Sequence, residues 1–453
     1  MKLKQIMQYV LLLSLLVASC TSIEKDTVFT STLSTKSFGD NEYALSEKEA
    51  ITKAEQFFLG LEELGRNNTA ARSISSMNLS AKAPQVKTII RTIEYDRNDI
   101  EQVPVYVVNY KDKKTNAAGG YVVMVGDKRL NRVLVYSDTG AWGEEDLMME
   151  NFLNLFWGGV DEYIKHELAL SSFATETVTN TIPVTRGHGD GDCPYCDYYS
   201  AYAYIDNAKQ LARPAVWSQL EPYNEKLAPL PTCPPFPEPV PSSFYAVGCV
   251  ATAMGQIMAY HKRPTSGSYI NYLGQTVNTA YNWNTMLTSP YANSLSSQGK
   301  EMVQHLLAEI GQRVIPAMVY ECIGSRADIL QAYNGFRNMT YSTAYEILYN
   351  YSTVSSEIYA NRPVVAFGNK YLVHPFTSHA WVMDGVNTQT VVKGLYKYCP
   401  TLPNDPPVLQ YILESHTLDY VSCNIGTEIP INWNGYYLSF LFSSNTQILT
   451  HIQ

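Results

Sequence analysis

The chain has 453 residues, 45% of them hydrophobic and 12% aromatic. A chain of that length and apolar content can bury two or three domain-sized cores, which excludes a disordered protein. Charged residues make up only 17%, with a formal net charge of −9; no clustered basic surface is expected, and nucleic acid is excluded as a partner.

Lys2 and Lys4 precede an apolar run from Val10 to Val17 and the small-residue stretch Ala18-Ser19-Cys20, so residues 1–20 read as an export signal. The run is shorter than the about 20 residues a spanning helix needs. Cys20, directly after Val17-Ala18-Ser19, resembles the lipobox of bacterial lipoproteins. That resemblance implies lipidation at Cys20 and an outer-membrane or cell-surface protein that touches the membrane through its lipid alone. Removing Cys20 leaves seven cysteines, and an odd count outside the cytoplasm points to an unpaired, reactive thiol.

Residues 21–42 are Ser/Thr-rich without hydrophobic period and read as a tether. A capping-box pattern at Ser46-Glu47-Lys48-Glu49 then opens a helix with Ala50, Ile51, Ala54, Phe57, Phe58 and Leu61 on one face, ending near Gly65. Strand-like runs follow at Val86–Ile93, Val103–Tyr110, Gly120–Val125 and Val133–Tyr136, so residues 43–165 form a small α+β unit. Residues 166–212 turn polar and read as an exposed connector, the kind of segment that proteases cut. Residues 213–453 mix helices with short aromatic-rich strands and form an α+β domain large enough for a cleft.

Chemistry concentrates in Ala246-Val-Gly-Cys249-Val-Ala-Thr-Ala-Met-Gly-Gln-Ile-Met-Ala-Tyr-His261, where Val250, Met254, Ile257, Met258 and His261 share a helical face. Cys249 therefore starts a helix, where the dipole favours a thiolate and a free N–H can face an oxyanion. The candidate base is His379 in Thr377-Ser-His-Ala-Trp-Val-Met-Asp-Gly385, at the mouth of a partly buried strand. Asp384, five residues further along, points the opposite way from His379 and is expected to serve a turn before Gly385. Cys193-Pro-Tyr-Cys196, beside His188 and Asp190, has half the ligands of a zinc site and no redox-fold context, so it is expected to be a loop disulfide or surface thiols. His374 is the fallback base.

The Gly-Cys-Val-Ala-Thr-Ala helix ending in Tyr260-His261, the later Tyr281-Asn-Trp-Asn284 and the His-Ala-x-Val-x-Asp-Gly run together resemble the streptopain family of papain-like cysteine peptidases. The 130 residues between Cys249 and His379 fall in the roughly 130 to 150 of papain-type enzymes. The resemblance extends to Trp217-Ser-Gln219-Leu-Glu-Pro-Tyr-Asn224 and to Val105–Tyr110 with Gly120–Gly140, which look like the start of the mature enzyme and the inhibitory propeptide. It implies an α+β fold: a papain-like domain of a helical part plus an antiparallel sheet, preceded by a small α+β propeptide. It also assigns Gln219 to the oxyanion hole and Asn424 to imidazole orientation. The implied function is a secreted, lipid-anchored cysteine endopeptidase made as a zymogen, working through a Cys249–His379 pair and an acyl-enzyme. Protein or peptide substrates, its own propeptide as inhibitor and an activating protease, itself included, are the implied partners; no metal or organic cofactor is implied.

Two departures stand out. The family's Asn-Trp-Gly-Trp-Gly-Gly stretch reads Asn424-Ile-Gly-Thr-Glu-Ile here, without either tryptophan, and Ile315–Arg326 replaces a small-residue loop near the cleft. They keep open a surface lipoprotein that binds peptides without turnover. A third reading makes the N-terminal unit an inhibitor of related peptidases.

Overall fold

The computed structural model describes residues 35–36, 42–67, 78–95, 100–130, 132–143, 149–177, 197–230, 242–314, 318–320, 325–343, 347–369, 378–398, 408–427, 433–444 and 446–453. Cys20 with the rest of the leader, most of the tether, His188, Asp190, Cys193, Cys196 and His374 lie outside them.

After a short strand β1 (Thr35–Lys36), helix α1 (Glu47–Asn67) starts where the capping box places it. The Ser46 N–H donates to the Glu49 carboxylate at 2.7 Å and the Glu49 N–H donates back to the Ser46 hydroxyl at 3.3 Å. Strands β2 (Lys82–Glu94), β3 (Ile100–Asp112), β4 (Ala118–Val125) and β5 (Val133–Ser137) contain the four expected apolar runs and pair in sequence as an antiparallel meander. Phe57 and Phe58 of α1 meet Tyr136 and Tyr110 edge-on, seating the helix on the sheet. Helix α2 (Glu150–Thr177) follows.

The second unit contains β6 (Asp197–Gln210), α3 (Cys249–His261), the hairpin β7 (Ser266–Ile270) and β8 (Thr276–Ala280), α4 (Ser297–Arg313) and α5 (Ile329–Asn338). It continues with β9 (Ile347–Leu348), α6 (Tyr351–Tyr359), β10 (Val364–Asn369), β11 (Ser378–Tyr398), β12 (Val408–Asn424), β13 (Gly435–Leu438) and β14 (Thr446–Leu449). The α+β class with an antiparallel sheet is as the sequence predicts.

Among the described residues the two units share one sheet, in the order β1-β3-β4-β5-β13-β12-β11-β10-β14-β9, with β2 on β3 and β6 on β11. The splice is β5 against β13, with Tyr136 opposite Tyr436 and Val135 opposite Tyr437. Alternation along β11 divides the interior. Ala380 and Val382 join the core of α3, α4 and α5, while Trp381 and Met383 join the core covered by α1 and α2.

Two expectations change. The span read as an exposed connector, residues 166–212, is helical to Thr177 and extended from Asp197 to Gln210, where β6 pairs with β11 from Tyr398 to Gly385. Polar composition hid a strand whose backbone is satisfied by a long neighbour. Asp384 serves no turn: β11 runs on through it past a bulge between Met383 and Gly385. Its carboxylate is buried against the Arg213 guanidinium at 2.6 and 2.7 Å and accepts from Ser422 at 2.9 Å. A paired charge can stay in a strand interior that would expel a lone one.

Candidate active site

Cys249 is the first residue of α3, as expected, and the helix behind it is buried from Val250 to Ala259 on every side rather than along one face. The chain enters through Gly248 at φ 90°, where a Cβ would lie 2.8 Å from the Ser325 carbonyl oxygen. Only glycine allows both that backbone and that approach. Cys249 itself is half-buried and free. Burial pushes its thiol up, opposed by the N–H groups of Ala380, Val250 and Cys249 itself. The dipole reading alone would have lowered it; desolvation outweighs the helix start here. The contact with the Ala380 N–H brings the beginning of β11 to the sulfur.

His379 is one residue away on that strand and faces the other side. The residue is 2% exposed; its ring stacks on Trp381 with centroids 6.4 Å apart and planes at 16° and meets Phe152 of α2 at 5.7 Å. Nε2 donates to the Ile425 carbonyl at 3.2 Å. Burial lowers its pKa to about 4, with the Ile425 bond opposing. Gly368, opposite His379 in the β10–β11 register, makes room for this packing: a Cβ there would lie 2.0 Å from Leu155 of α2 and 2.8 Å from Trp381. Among the described residues no hydrogen bond joins His379 to Cys249. The two expected reacting groups thus sit on opposite faces of one strand, and α2 of the N-terminal unit closes the face that holds the imidazole.

Asn424 is buried on the Cys249 side, opposite Val382, where its Nδ2 donates to Ala215 at 2.9 Å and its Oδ1 accepts from Gln256 of α3 at 3.3 Å. It is not bonded to the imidazole in this arrangement. Gln219 is buried, and its carbonyl accepts the Val247 N–H at 2.9 Å, which ties it beside the entry to Cys249. The Gln256 amide also donates to the Trp217 carbonyl at 3.0 Å, so one side chain of α3 ties Asn424 to the segment that carries Gln219.

Sequence reading passed over the residues that hold His379. Asn434 accepts the Ile425 N–H at 2.6 Å and so fixes the carbonyl that His379 uses. Its own carbonyl accepts from Tyr121 at 3.2 Å, and the neighbouring Trp433 indole donates to Gly143 at 2.8 Å, both from the N-terminal unit. Phe152, Leu155, Phe156, Val160 and Ile164 have helical spacing that would have signalled α2. Nothing local marks Asn434. No group of three or more His, Cys, Asp or Glu is placed to hold a metal, and no helix is long and apolar enough to cross a membrane, among the described residues.

Comparison with known proteins agrees with this two-part layout. Residues 217–401 match the Peptidase C10 family and residues 42–164 match the Spi protease inhibitor. Streptopain of Streptococcus pyogenes is 25% identical over 295 residues, 60% of this chain and 61% of the relative, so the match spans about three fifths of that relative's length. The thiol protease/hemagglutinin PrtT of Porphyromonas gingivalis is 26% identical over 205 residues, 42% of this chain and 20% of that protein. A prointerpain A fragment of Prevotella intermedia aligns with a TM-score of 0.48 at 18% identity, covering 82% of this chain and 98% of the fragment. The two matches meet the two units of the fold: the part similar to the Peptidase C10 family holds Cys249 and His379, and the part similar to the Spi protease inhibitor holds Phe152.

Proposed function

We propose that the chain is the latent precursor of a cysteine endopeptidase, with Cys249 as nucleophile and His379 as its base, and that the inhibitor domain keeps them apart. The observation that carries this reading is the imidazole enclosed by Phe152, Trp381 and the Ile425 carbonyl on the far face of β11 from Cys249. Cutting between α2 and β6 frees the inhibitor domain, and loss of Phe152 opens the side of the ring that α2 covers. His379 then reaches Cys249, whose backbone neighbour Ala380 is already at the sulfur.

In the released enzyme His379 takes the Cys249 proton, and the thiolate adds to the carbonyl carbon of a peptide bond. The Cys249 N–H and Gln219 face the oxyanion. Collapse expels the amine, protonated by His379, and water then hydrolyses the thioester. Export, lipidation at Cys20 and display at a membrane surface belong to the same proposal, as do protein or peptide substrates with an apolar residue two positions before the cut. A second reading, a surface lipoprotein that holds peptides without cleaving them, is favoured by Ile425 and Thr427 standing where indoles would shield an imidazole.

Active-site labelling separates the two. An epoxide inhibitor of cysteine peptidases is added to the purified precursor before and after limited proteolysis, beside a Cys249→Ala control. Labelling that appears after cutting and is absent in the control supports the peptidase; no labelling in either state supports the binding protein.

A further inference from the structure

We propose that Gln256 is a positioning residue of the peptidase: it fixes which atom of the Asn424 amide is offered to the imidazole, and it couples that amide to the segment that carries Gln219. The inference rests on the reading of the chain as a latent peptidase and names a further group on which its reaction depends.

Gln256 lies seven residues beyond Cys249 in α3, close to two turns of helix, so both residues project from the same side. Thr252 stands between them, its hydroxyl 3.1 Å from the Gly248 carbonyl and 3.5 Å from the Ser218 carbonyl. That stripe of α3 therefore faces residues 215–219. From Val250 to Ala259 every residue is buried, and Gln256 is the one long polar side chain among them, 5% exposed. A methionine would fill the same volume without the cost of taking an amide out of water. What the amide bonds must offset that cost.

Its bonds leave one arrangement. The Trp217 and Ala215 carbonyls can only accept. Trp217 therefore requires Nε2 of Gln256, at 3.0 Å, and Ala215 requires Nδ2 of Asn424, at 2.9 Å. The second hydrogen of Nε2 meets Asn424 Oδ1 at 3.3 Å. Two backbone carbonyls of one segment, leading directly to Gln219, thus set the orientation of both amides. Gly426 brings the chain back over this contact at φ 82°, where a Cβ would lie 3.2 Å from the Thr252 methyl and 3.5 Å from the Trp217 carbonyl oxygen.

An amide oxygen has two lone pairs. Gln256 occupies one of those on Asn424 Oδ1, and the other is left for an imidazole N–H once His379 crosses to the Cys249 face. An acceptor held there favours the charged ring beside a thiolate. Removing the Gln256 donor leaves Oδ1 short of a partner at a residue that is 2% exposed, and the Asn424 amide turns away from the imidazole to find one.

A double-mutant cycle tests this. Full-length wild type, Gln256→Met, Asn424→Ala and the double variant are cut by limited proteolysis, and the rate of epoxide labelling at Cys249 is followed from about pH 5 to about pH 9. Gln256→Met should slow labelling by about ten- to a hundredfold. It should also move the alkaline limb of the profile to lower pH, because the ring loses an acceptor for its charged form. In the Asn424→Ala background the same substitution should change the rate by less than about twofold. Equal slowing in both backgrounds, or slowing with an unmoved profile, means that Gln256 only fills space and overturns the proposal. Should Gln256→Met fail to fold, as judged by the denaturant midpoint of the precursor, Gln256→Glu takes its place, keeping the shape and losing the donors. Cut wild-type protein that takes up no label overturns the peptidase reading and this assignment with it; label uptake with an additive cycle overturns the assignment alone.

Discussion

At Phe152 a single side chain from the inhibitor domain meets the imidazole, Trp381 and Tyr437 at 5.7 Å each. Phe152→Ala should lower precursor stability by about 3–5 kcal/mol, the usual range for a buried Phe→Ala change. It should also let Cys249 be labelled without cutting. A denaturant titration beside epoxide labelling checks both, and unchanged labelling in a destabilised protein would show that α2 holds His379 by other contacts. Arg213 is the counterpart within the C-terminal unit, pairing a carboxylate that is 5% exposed. Arg213→Ala strands that charge and should cost about 3–5 kcal/mol in precursor and cut protein alike, read from their denaturant midpoints. At this scale Cys249 and His379 were legible as candidates, because each sits in a local motif with a chemical reason. Their separation was not, although the alternation that set Asp384 against His379 also sets His379 against Ala380.

Among the elements, α2 does the closing, and its fit depends on Gly159. A Cβ there would lie 2.5 Å from the Leu441 carbonyl oxygen, a backbone atom with no room to yield. Gly159→Ala should lift α2 from the Ser439–Phe442 turn at an overpacking cost of about 1–3 kcal/mol, so that the inhibitor domain dissociates faster once the chain is cut, as measured by size exclusion over time. An unchanged rate would place the grip in the β5–β13 splice instead. Gly158-Gly159 weakens the helix signal in the sequence, which is why α2 escaped a reading that found α1 by its capping box. β6 escaped for a different reason: its pairing partner, β11, lies about two hundred residues downstream, and no local pattern reports it.

Over the whole molecule the N-terminal and C-terminal units share both a sheet and a core. The β5–β13 splice covers one edge of β13 while α2 covers the adjacent face. Removal of the inhibitor domain should therefore raise exchange across residues 435–438, whereas α3 stays protected because its surroundings are contributed by α4, α5 and β11. Equal exchange in both forms would mean that the splice does not hold in solution.

The sequence by itself determined the strands of the N-terminal unit, the helix that begins at Cys249 and the pair of residue types a thiol mechanism needs. Those follow from local periodicity, capping and side-chain chemistry, which act over a few residues. The tertiary structure decided that the two units share one sheet, that residues 197–210 are a strand, and that His379 rests among Phe152, Trp381 and Ile425 on the face away from Cys249. These depend on pairings and burial between residues far apart in the chain, whose energies no local pattern encodes.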